Sequence, residues 1–373
     1  MSFINLFSGS KKYLVFDVGT ESIKVGLFLK SKNGLKLSNV LNYDFKNSIL
    51  LEGISSSVYF DGIKKAMSDF FDIIKKNKIK SDGFYATVPA FFSKYFIVDV
   101  NINRKDKNKP INKLEEQKIK KTIFNLSYEN VLKNYGFPNE QYILSNYDIL
   151  SYKILGYRVK DIFNKIGDKI SAKVVMFFIN KRFEDIFKEV GKTHKVSFVN
   201  EINPIKGIIN ISDRKSVFLD VGGLTTECFY FGDFGLEEVS VFNFGGYFLT
   251  KELSQKLGIS YGSAKDLKEK YILGKVSSSV RERINSHFGS IVDIWVAELK
   301  DYFEKKNIVY FDNIFLYGGT AFVELFSDKI ENKFGIKPKF LHPENVKGVV
   351  VEGDLEIKTD LRYTNLLLVS HSI

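Results

Sequence analysis

Apolar, β-branched runs near the start of the chain predict a strand hairpin. Tyr13–Val18 and Ile23–Leu29 are separated by a short polar turn, a pattern typical of two antiparallel strands. Apolar residues then recur at intervals of three and four between about 61 and 76, which predicts an amphipathic helix. A further strand, Phe84–Val88, ends at Pro89. This order of elements predicts an α/β domain.

The second half of the chain opens with the same pattern. Val217–Val221 and Cys228–Phe231 are apolar runs on either side of a glycine-containing turn, which again predicts a hairpin. A long helix is expected at about 279–305, where a stripe of apolar residues that includes Trp295 is interpreted as core. We interpret the duplicated hairpin as the main feature of the chain's organisation.

The middle of the chain has a different character. Asn101–Lys109 is charged and polar and Leu114–Lys121 is rich in lysine and glutamate, so we interpret them as a solvated loop and a surface helix. Tyr142–Tyr157 and Ser171–Ile179 are expected to be strands of a small α/β unit. We divide the chain into a leader at 1–12, a first domain at 13–88 and 181–215, an inserted subdomain at 89–180, a second domain at 216–350, and a tail at 351–373 that returns to the core.

Composition narrows the possible functions. The formal charge is +11, but the lysines are spread along the chain, and no helix-turn-helix, zinc-finger or aromatic RNA-binding signature accompanies them, which argues against nucleic acid as a partner. No apolar stretch approaches the ~18–20 residues of a membrane helix, and no signal peptide is visible. The single cysteine, Cys228, lies in an apolar run, which suits a buried thiol in a reducing cytosol. We therefore expect a cytoplasmic protein.

The first residues leave two alternatives open. Phe3–Phe7 is apolar and is followed by Lys11 and Lys12, a combination that can form a weak interfacial anchor or simply a disordered leader. Under the first alternative the protein lies at the inner face of the cell membrane, with the membrane surface as a partner.

The turn of the first hairpin carries residues that suit a phosphate group. The strand delivers Asp17 at its end, and Gly19 lacks a Cβ, so that a ligand can approach the backbone closely. Backbone N–H groups with the Thr20 and Ser22 hydroxyls can then cradle phosphate oxygens. Lys24 adds a positive charge, and Asp17 is placed to hold a magnesium ion. A tight glycine hairpin without a ligand is the alternative.

The second hairpin repeats this arrangement with Asp220, Gly222, Gly223 and Thr225. Two such hairpins facing each other would enclose the two sides of a triphosphate, and Asp220 would lie near the metal and the γ-phosphate. Recurrence of the same device in both halves favours a nucleotide ligand over two unrelated turns.

A third glycine turn follows the strand Asn313–Tyr317. Gly318 and Gly319 lead from that strand towards Thr320, so that the backbone can lie against a flat base or a sugar. Taken alone, this turn could equally be a helix-entry turn without a ligand. The order and spacing of all three elements together favour a nucleotide site.

These three segments resemble the phosphate-1, phosphate-2 and adenosine motifs of the actin/Hsp70/sugar-kinase superfamily. The chain looks most like the FtsA/PilM group of bacterial actin-like proteins. Gly83–Pro89 resembles the entry into that group's inserted subdomain, and Phe244–Thr250 with Tyr261–Lys268 resembles its GG…T…A-E-x-x-K stretch. The resemblance implies an actin-like (ribonuclease H-like) two-domain α/β fold, with a nucleotide cleft between the domains and a small inserted α/β subdomain.

The resemblance also implies ATP and Mg²⁺ as ligands and assigns roles by position. Asp17 and Asp220 would bind the metal, Asp220 would be the catalytic group, and the remaining phosphate contacts would come from Gly19, Thr20, Ser22, Lys24, Gly222, Gly223 and Thr225. Lys268, Gly318, Gly319 and Thr320 would contact adenosine. Two positions depart from the group: Leu224 replaces a third glycine, and Lys265 replaces the glutamate expected to reach the ribose.

Three functions fit this resemblance. We prefer an FtsA-type scaffold, which would associate with the membrane and a division-ring (FtsZ-like) protein and would self-associate into filaments. The alternative is a PilM-like component of type IV pilus assembly, which would bind a peptide of an inner-membrane pilus protein. A sugar kinase of the same superfamily is the second alternative. No third catalytic group is evident in the sequence, so we expect at most a slow ATPase.

Overall fold

The computed structural model describes residues 10–32, 34–45, 56–137, 141–191, 195–202, 204–205, 215–233, 235–351 and 355–373. The segment Phe3–Phe7, the candidate anchor, lies outside the described residues. Lys11 and Lys12, which the sequence assigned to the leader, already belong to the first strand.

A six-stranded sheet contains the first hairpin. Its strands, in spatial order, are β15 (Val349–Val351), β3 (Gly34–Asp44), β2 (Ser22–Ser31), β1 (Lys11–Val18), β4 (Gly83–Ala86) and β9 (Val196–Phe198). The β1–β2–β3 meander is antiparallel, whereas β4 runs parallel to β1 and β9 parallel to β4. Because β15 pairs with β3, the chain returns to this sheet near its end.

Two helices cover one face of this sheet. They are α1 (Ser56–Lys76), which starts before the predicted boundary, and α3 (Lys181–Gly191), and they pack against each other. In α1 the apolar side chains Ile63, Met67 and Phe70 follow the helical period and are buried. They join a core cluster with the first hairpin's strands.

A five-stranded sheet contains the second hairpin. Its order is β12 (Gly235–Phe242), β11 (Thr226–Gly232), β10 (Ser216–Val221), β13 (Asn313–Tyr317) and β14 (Lys339–Phe340). Every residue of β10 and β11 is buried, which explains their continuous apolar runs. The helices of this half are α4 (Gly246–Leu257), α5 (Tyr261–Ile272), α6 (Ser278–Lys305) and α7 (Glu324–Phe334). Trp295 of α6 is buried in the core, as the stripe predicted.

The middle of the chain forms a four-stranded antiparallel sheet. Its order is β5 (Ser93–Asn103), β8 (Lys169–Asn180), β6 (Tyr142–Ile154) and β7 (Tyr157–Val159). The helix α2 (Lys113–Tyr135) lies against β5 and β8 and is much longer than the sequence predicted. Contacts between Tyr95 and Phe229 join this sheet to the sheet of the second hairpin.

The chain ends in two short helices, α8 (Leu355–Thr359) and α9 (Thr364–Ser370). Leu366, Leu367, Leu368 and Val369 of α9 are buried in a core cluster to which strands of both hairpins contribute. Within the described part of the chain, no helix has the length and apolar character needed to cross a bilayer.

Candidate functional site

The two hairpin turns face each other across one cleft of about 160 Å³. Both turns close in the same way: the Gly19 N–H donates to the Ser22 carbonyl at 2.9 Å, and the Gly222 N–H donates to the Thr225 carbonyl at 3.0 Å. A Cβ on Gly19 would lie 2.9 Å from that Ser22 oxygen, so the turn itself requires glycine there. The two halves of the chain thus build the same turn twice.

Asp17 is held by groups on its own domain. The Lys24 ammonium, its cross-strand neighbour, lies 3.0 Å from Asp17 Oδ2. The Thr87 hydroxyl lies 3.4 Å from Asp17 Oδ1 and also accepts a hydrogen bond from the Val18 N–H at 2.9 Å. Asp17 and Lys24 therefore form a partly buried ion pair at the wall of the cleft.

Asp220 differs from Asp17, because only one of its two carboxylate oxygens has a hydrogen-bond partner among the described residues. Asn365 donates to Asp220 Oδ2 at 2.7 Å, whereas the buried Oδ1 has no hydrogen-bond partner among the described residues. A Cβ on Gly318, whose φ is +92°, would lie 2.1 Å from that Oδ1. Burial raises the pKa of Asp220 to about 7, and the charge of Asp17 adds to the effect.

Two carboxylates that the sequence analysis did not single out lie beside Asp220. One carboxylate oxygen from each of Glu201, Asp220 and Glu227 lies within 4.8 Å of the others. The Tyr317 hydroxyl donates to Glu201 at 2.9 Å. Burial raises the pKa of Glu227 to about 8 and that of Glu201 well above its usual range, and the charge of Asp220 raises both further.

A sequence signal existed for one of these residues only. Glu227 is the cross-strand neighbour of Asp220 in the second hairpin, as Lys24 is the neighbour of Asp17 in the first, so the repeated register could have identified it. Glu201 follows the short strand β9, whose place beside β4 follows from long-range pairing. Such a cluster can share protons or hold a divalent cation, since carboxylates are preferred ligands of Mg²⁺.

The two hairpins also contact each other. The Leu224 N–H donates to the Thr20 hydroxyl at 3.1 Å. A Cβ on Gly223 would lie 2.7 Å from Thr20 Oγ1 and from Glu21 Cγ. Close packing of the turns therefore depends on glycine at 223, whereas Leu224, the first departure from the group, is buried and does not line the cleft.

Glu21 reaches from the first hairpin to α5 of the other half. Its Oε2 lies 3.8 Å from Lys268 Nζ and 3.9 Å from Lys265 Nζ, and Tyr261 donates to its Oε1 at 3.2 Å. Burial would raise the pKa of Glu21, but the two ammonium groups outweigh burial and hold it below its usual range. Lys265, the second departure from the group, also donates to the Phe45 carbonyl at 3.1 Å.

The remaining predicted residues brace the second hairpin. The Lys268 ammonium donates to the Gly246 carbonyl at 2.9 Å, and Thr320 donates to the Gly222 carbonyl at 3.0 Å. Gly318 and Gly319 line the cleft beside them. The structure thus brings all the predicted site residues to one cleft: Asp17, Gly19, Thr20, Ser22, Lys24, Asp220, Gly222, Gly223, Thr225, Lys268, Gly318, Gly319 and Thr320.

Comparison with known proteins gives structural but no sequence matches. No protein-family model and no curated protein matches the sequence. A solved structure of a PilM–PilN type IV pilus biogenesis complex superimposes with a TM-score of 0.69 at 14% identity, covering 96% of this chain and 98% of that one. The ethanolamine utilization protein EutJ from Carboxydothermus hydrogenoformans superimposes with a TM-score of 0.53 at 11% identity, covering 99% and 92%.

These similarities extend over nearly the whole length of each chain, and the duplicated hairpins with their shared cleft are the arrangement that the sequence predicted. The expected actin-like α/β two-domain fold class is confirmed. The preference for an FtsA-type function is not confirmed, and one of the matched structures is that of a PilM–PilN complex. The chain has the actin-like ATPase fold.

Proposed function

We propose that this chain binds MgATP in the cleft between its two hairpins and acts as a PilM-type component of a type IV pilus assembly machine. The observation that carries the nucleotide part is the shared cleft, to which Asp17 and Asp220 both contribute from equivalent positions. The similarity to a PilM–PilN complex over nearly both full chains supports the pilus role and favours it over the FtsA-type scaffold.

The residues present fit a magnesium ion. Asp220 Oδ1 is buried without a partner in the described part of the chain, and carboxylates of Glu201 and Glu227 lie close to it. A divalent cation would coordinate that oxygen and offset the negative charge of the cluster. Mg²⁺ suits this site because it binds through one or two carboxylates and keeps water as its other ligands. Asp17 would contribute from the opposite hairpin.

The hairpins fit a polyphosphate. When bound, MgATP would supply a γ-phosphoryl group that water can attack. The Thr20 hydroxyl, the Lys24 ammonium and the N–H groups of the two turns would position phosphate oxygens. Lys24 is already paired with Asp17, so it would act as part of a neutral pair rather than as a free cation.

We propose that hydrolysis of the bound nucleotide is slow. Fast phosphoryl transfer needs a group that orients or deprotonates the attacking water, and in this proposal the carboxylates of Asp220, Glu201 and Glu227 are already engaged with the metal. The bound nucleotide would instead bias the domain arrangement.

Nucleotide binding is tested by calorimetric titration of the purified chain with ATP, ADP and AMP, each with and without Mg²⁺. We expect ATP and ADP to bind and Mg²⁺ to strengthen binding. Asp220→Asn and Lys24→Ala should each weaken MgATP binding at least about ten-fold, as expected for loss of a charge-assisted contact. The matched control Glu129→Gln removes an exposed carboxylate on α2 and should leave the affinity unchanged. Absence of nucleotide binding, or equal affinities for all four proteins, would refute the proposal.

The cellular role is tested by partner binding. We expect the chain to bind a fluorescent peptide from the cytoplasmic end of an inner-membrane pilus protein, and not to bind a division-ring (FtsZ-like) protein. The reverse result would restore the FtsA-type function, with its filaments and membrane-attached division complex. Release of ADP that depends on added sugar would indicate a kinase instead.

A further inference from the structure

Three segments lie together at the end of the four-stranded sheet that contains the β6–β7 turn. They are residues 104–114, the turn itself at 154–157, and the loop at 160–168, and we call them the distal tip. Backbone hydrogen bonds join them. The Ile111 N–H donates to the Lys165 carbonyl and the Asn164 N–H to the Ile111 carbonyl, each at 2.9 Å, and the Leu155 N–H donates to the Lys169 carbonyl at 3.0 Å. The tip is therefore one structural unit.

A buried arginine fixes this unit. Arg104 donates to the Gly167 carbonyl at 2.7 Å and the Lys109 carbonyl at 3.1 Å, and it forms two hydrogen bonds with the Glu115 carboxylate at 2.8 and 2.9 Å. Arginine in such a fork holds its partners in a fixed geometry. Two loops and the start of α2 are thus held together by a side chain that is itself hidden from solvent.

Four apolar side chains of the tip are exposed all the same. Leu114 is 63% exposed, Leu155 55%, Phe163 49% and Ile166 55%. Single exposed apolar side chains are ordinary, but a group of them on one rigid unit is typical of an interaction surface. Because these side chains lie on turns at the end of a sheet, they suit a flat partner surface better than a partner helix, which would need a groove.

Leu155 is an unfavourable residue for its position. It has a φ of +51° and precedes Gly156 at +84°, a pair of left-handed residues that a two-residue hairpin turn normally fills with asparagine, aspartate or glycine. A leucine there costs conformational energy and its side chain is mostly exposed. The backbone conformation therefore does not favour leucine at this position, which points to a role of its side chain in an interaction.

The charge around these side chains is mainly positive. The three segments of the distal tip carry these exposed lysines: Lys105, Lys107, Lys109, Lys113, Lys160 and Lys165. Asp106 and Asp161 are the exposed acidic residues of the same segments. The exposed cations are flexible point charges of the kind that attract a diffuse layer of anionic headgroups.

We propose that the distal tip docks the protein on an anionic lipid surface, with Leu155, Phe163 and Ile166 inserted at the headgroup boundary and the lysines on the phosphates. Apolar insertion together with a basic patch supplies the two contributions that stable but reversible membrane association needs. This site shares no residue with the lining of the nucleotide cleft.

Vesicle sedimentation of the full chain tests whether the apolar and the basic residues of the distal tip both contribute to lipid binding. We expect binding to vesicles that contain phosphatidylglycerol, weaker binding to phosphatidylcholine alone, and a loss of binding as salt rises. The double variant Phe163→Ser/Ile166→Ser should bind about ten-fold more weakly or worse, and Lys160→Gln/Lys165→Gln should lose about five-fold per lysine. The matched controls Ile294→Ser/Val309→Ser and Lys333→Gln/Lys337→Gln alter residues of the second half that are also exposed and should bind like the parent.

A tryptophan reporter tests the location. The parent has one tryptophan, Trp295, which is buried, so Phe163→Trp adds a single surface signal. Insertion into vesicles should blue-shift the added signal, and brominated phosphatidylglycerol should quench it while leaving the Trp295 signal unchanged. No quenching, or binding that the tip variants leave unchanged, would overturn the proposal. If the tip variants instead abolish a dimer seen by light scattering and vesicles have no effect, the occupant is a second copy of the chain, and the lipid proposal is wrong.

Discussion

Glu21 carries a negative charge from the first hairpin to two buried lysines of the other half. Lys265 and Lys268 are almost inaccessible, and burial lowers the pKa of Lys268 although Glu21 opposes this. A buried ammonium group that loses its counter-ion is strongly destabilising. Glu21 thus accounts for both buried lysines in physical terms, because its carboxylate lies 3.9 Å from Lys265 and 3.8 Å from Lys268.

Glu21→Gln should therefore destabilise the chain by about 3 kcal/mol at neutral pH, measured by denaturant unfolding. The pKa of Glu21 is held below its usual value of 4.5, so the contribution is present above pH 4.5 and is lost as the pH falls through the lower, folded value. The difference between variant and parent should accordingly shrink in acid. Glu129→Gln, which breaks an exposed pair with Lys133, should cost less than about 1 kcal/mol.

Asp220 should give the opposite pH dependence. Its pKa is 3.8 in an ordinary environment and about 7 in the fold, so between those values the folded protein binds more protons than the unfolded chain and stability falls as the pH rises. Asp220→Asn should reduce this slope, making the variant the more stable protein at pH 8 in the absence of metal. In this variant, Glu201 and Glu227 would still contribute part of the pH dependence of stability.

Magnesium supplies the complementary measurement. A cation in the cluster competes with protons, so Mg²⁺ should raise the unfolding temperature more at pH 8 than at pH 6 in the parent, and much less in Asp220→Asn. Equal Mg²⁺ effects at both pH values would show that the cluster does not hold the ion.

At the scale of elements, the hairpins were predictable because each is local in sequence. Continuous apolar runs, a glycine turn and a terminal aspartate lie close together in sequence in each half, and both hairpins form as predicted. The strand β5 and most of α2 were not recognised. The sequence of α2 is polar and rich in lysine, with only a weak apolar stripe, and β5 pairs with β8, which lies far along the chain. Glu201 escaped prediction for the same reason, because its position depends on long-range strand pairing.

The second hairpin is docked on α4 through glycine backbone. The Gly246 and Tyr247 N–H groups donate to the Gly222 and Gly223 carbonyls at 2.9 and 2.8 Å. A Cβ on Gly245 would lie 2.6 Å from the Gly223 oxygen and 2.7 Å from the Gly222 oxygen. Backbone atoms cannot move aside as a flexible side chain can, so a side chain at 245 must displace the phosphate turn itself.

Gly245→Ala should consequently lower both the unfolding temperature and the affinity for MgATP. Gly289→Ala is the matched control: it lies inside α6 with no heavy atom within 4 Å of the added Cβ, and alanine in a helix interior should stabilise by about 0.5–1 kcal/mol. The contrast separates a clash at the turn from a general effect of replacing glycine. Normal nucleotide binding by Gly245→Ala would show that the turn geometry is not needed for the ligand.

At the scale of the molecule, α9 joins the two halves. Its apolar residues contact β1, β2 and β4 of the first sheet and belong to the same core cluster as Phe218 and Phe229 of the second. In the first turn of α9, Asn365 donates to Asp220 at the cleft. A change in the position of α9 would therefore be felt by both sheets and by the site.

Leu367→Ala tests this coupling. Leu367 is fully buried, and leucine-to-alanine changes in a core cost about 2–5 kcal/mol. If α9 joins both halves, calorimetry should show one unfolding transition in the parent, and in the variant one transition shifted to lower temperature with MgATP binding weakened. The exposed control Leu132→Ala on α2 lies away from the cleft lining and should change the unfolding temperature far less. Two separate transitions, of which only one moves, would mean that the halves unfold independently and that the cleft is held together by the hairpin contacts of Thr20 and Glu21 alone.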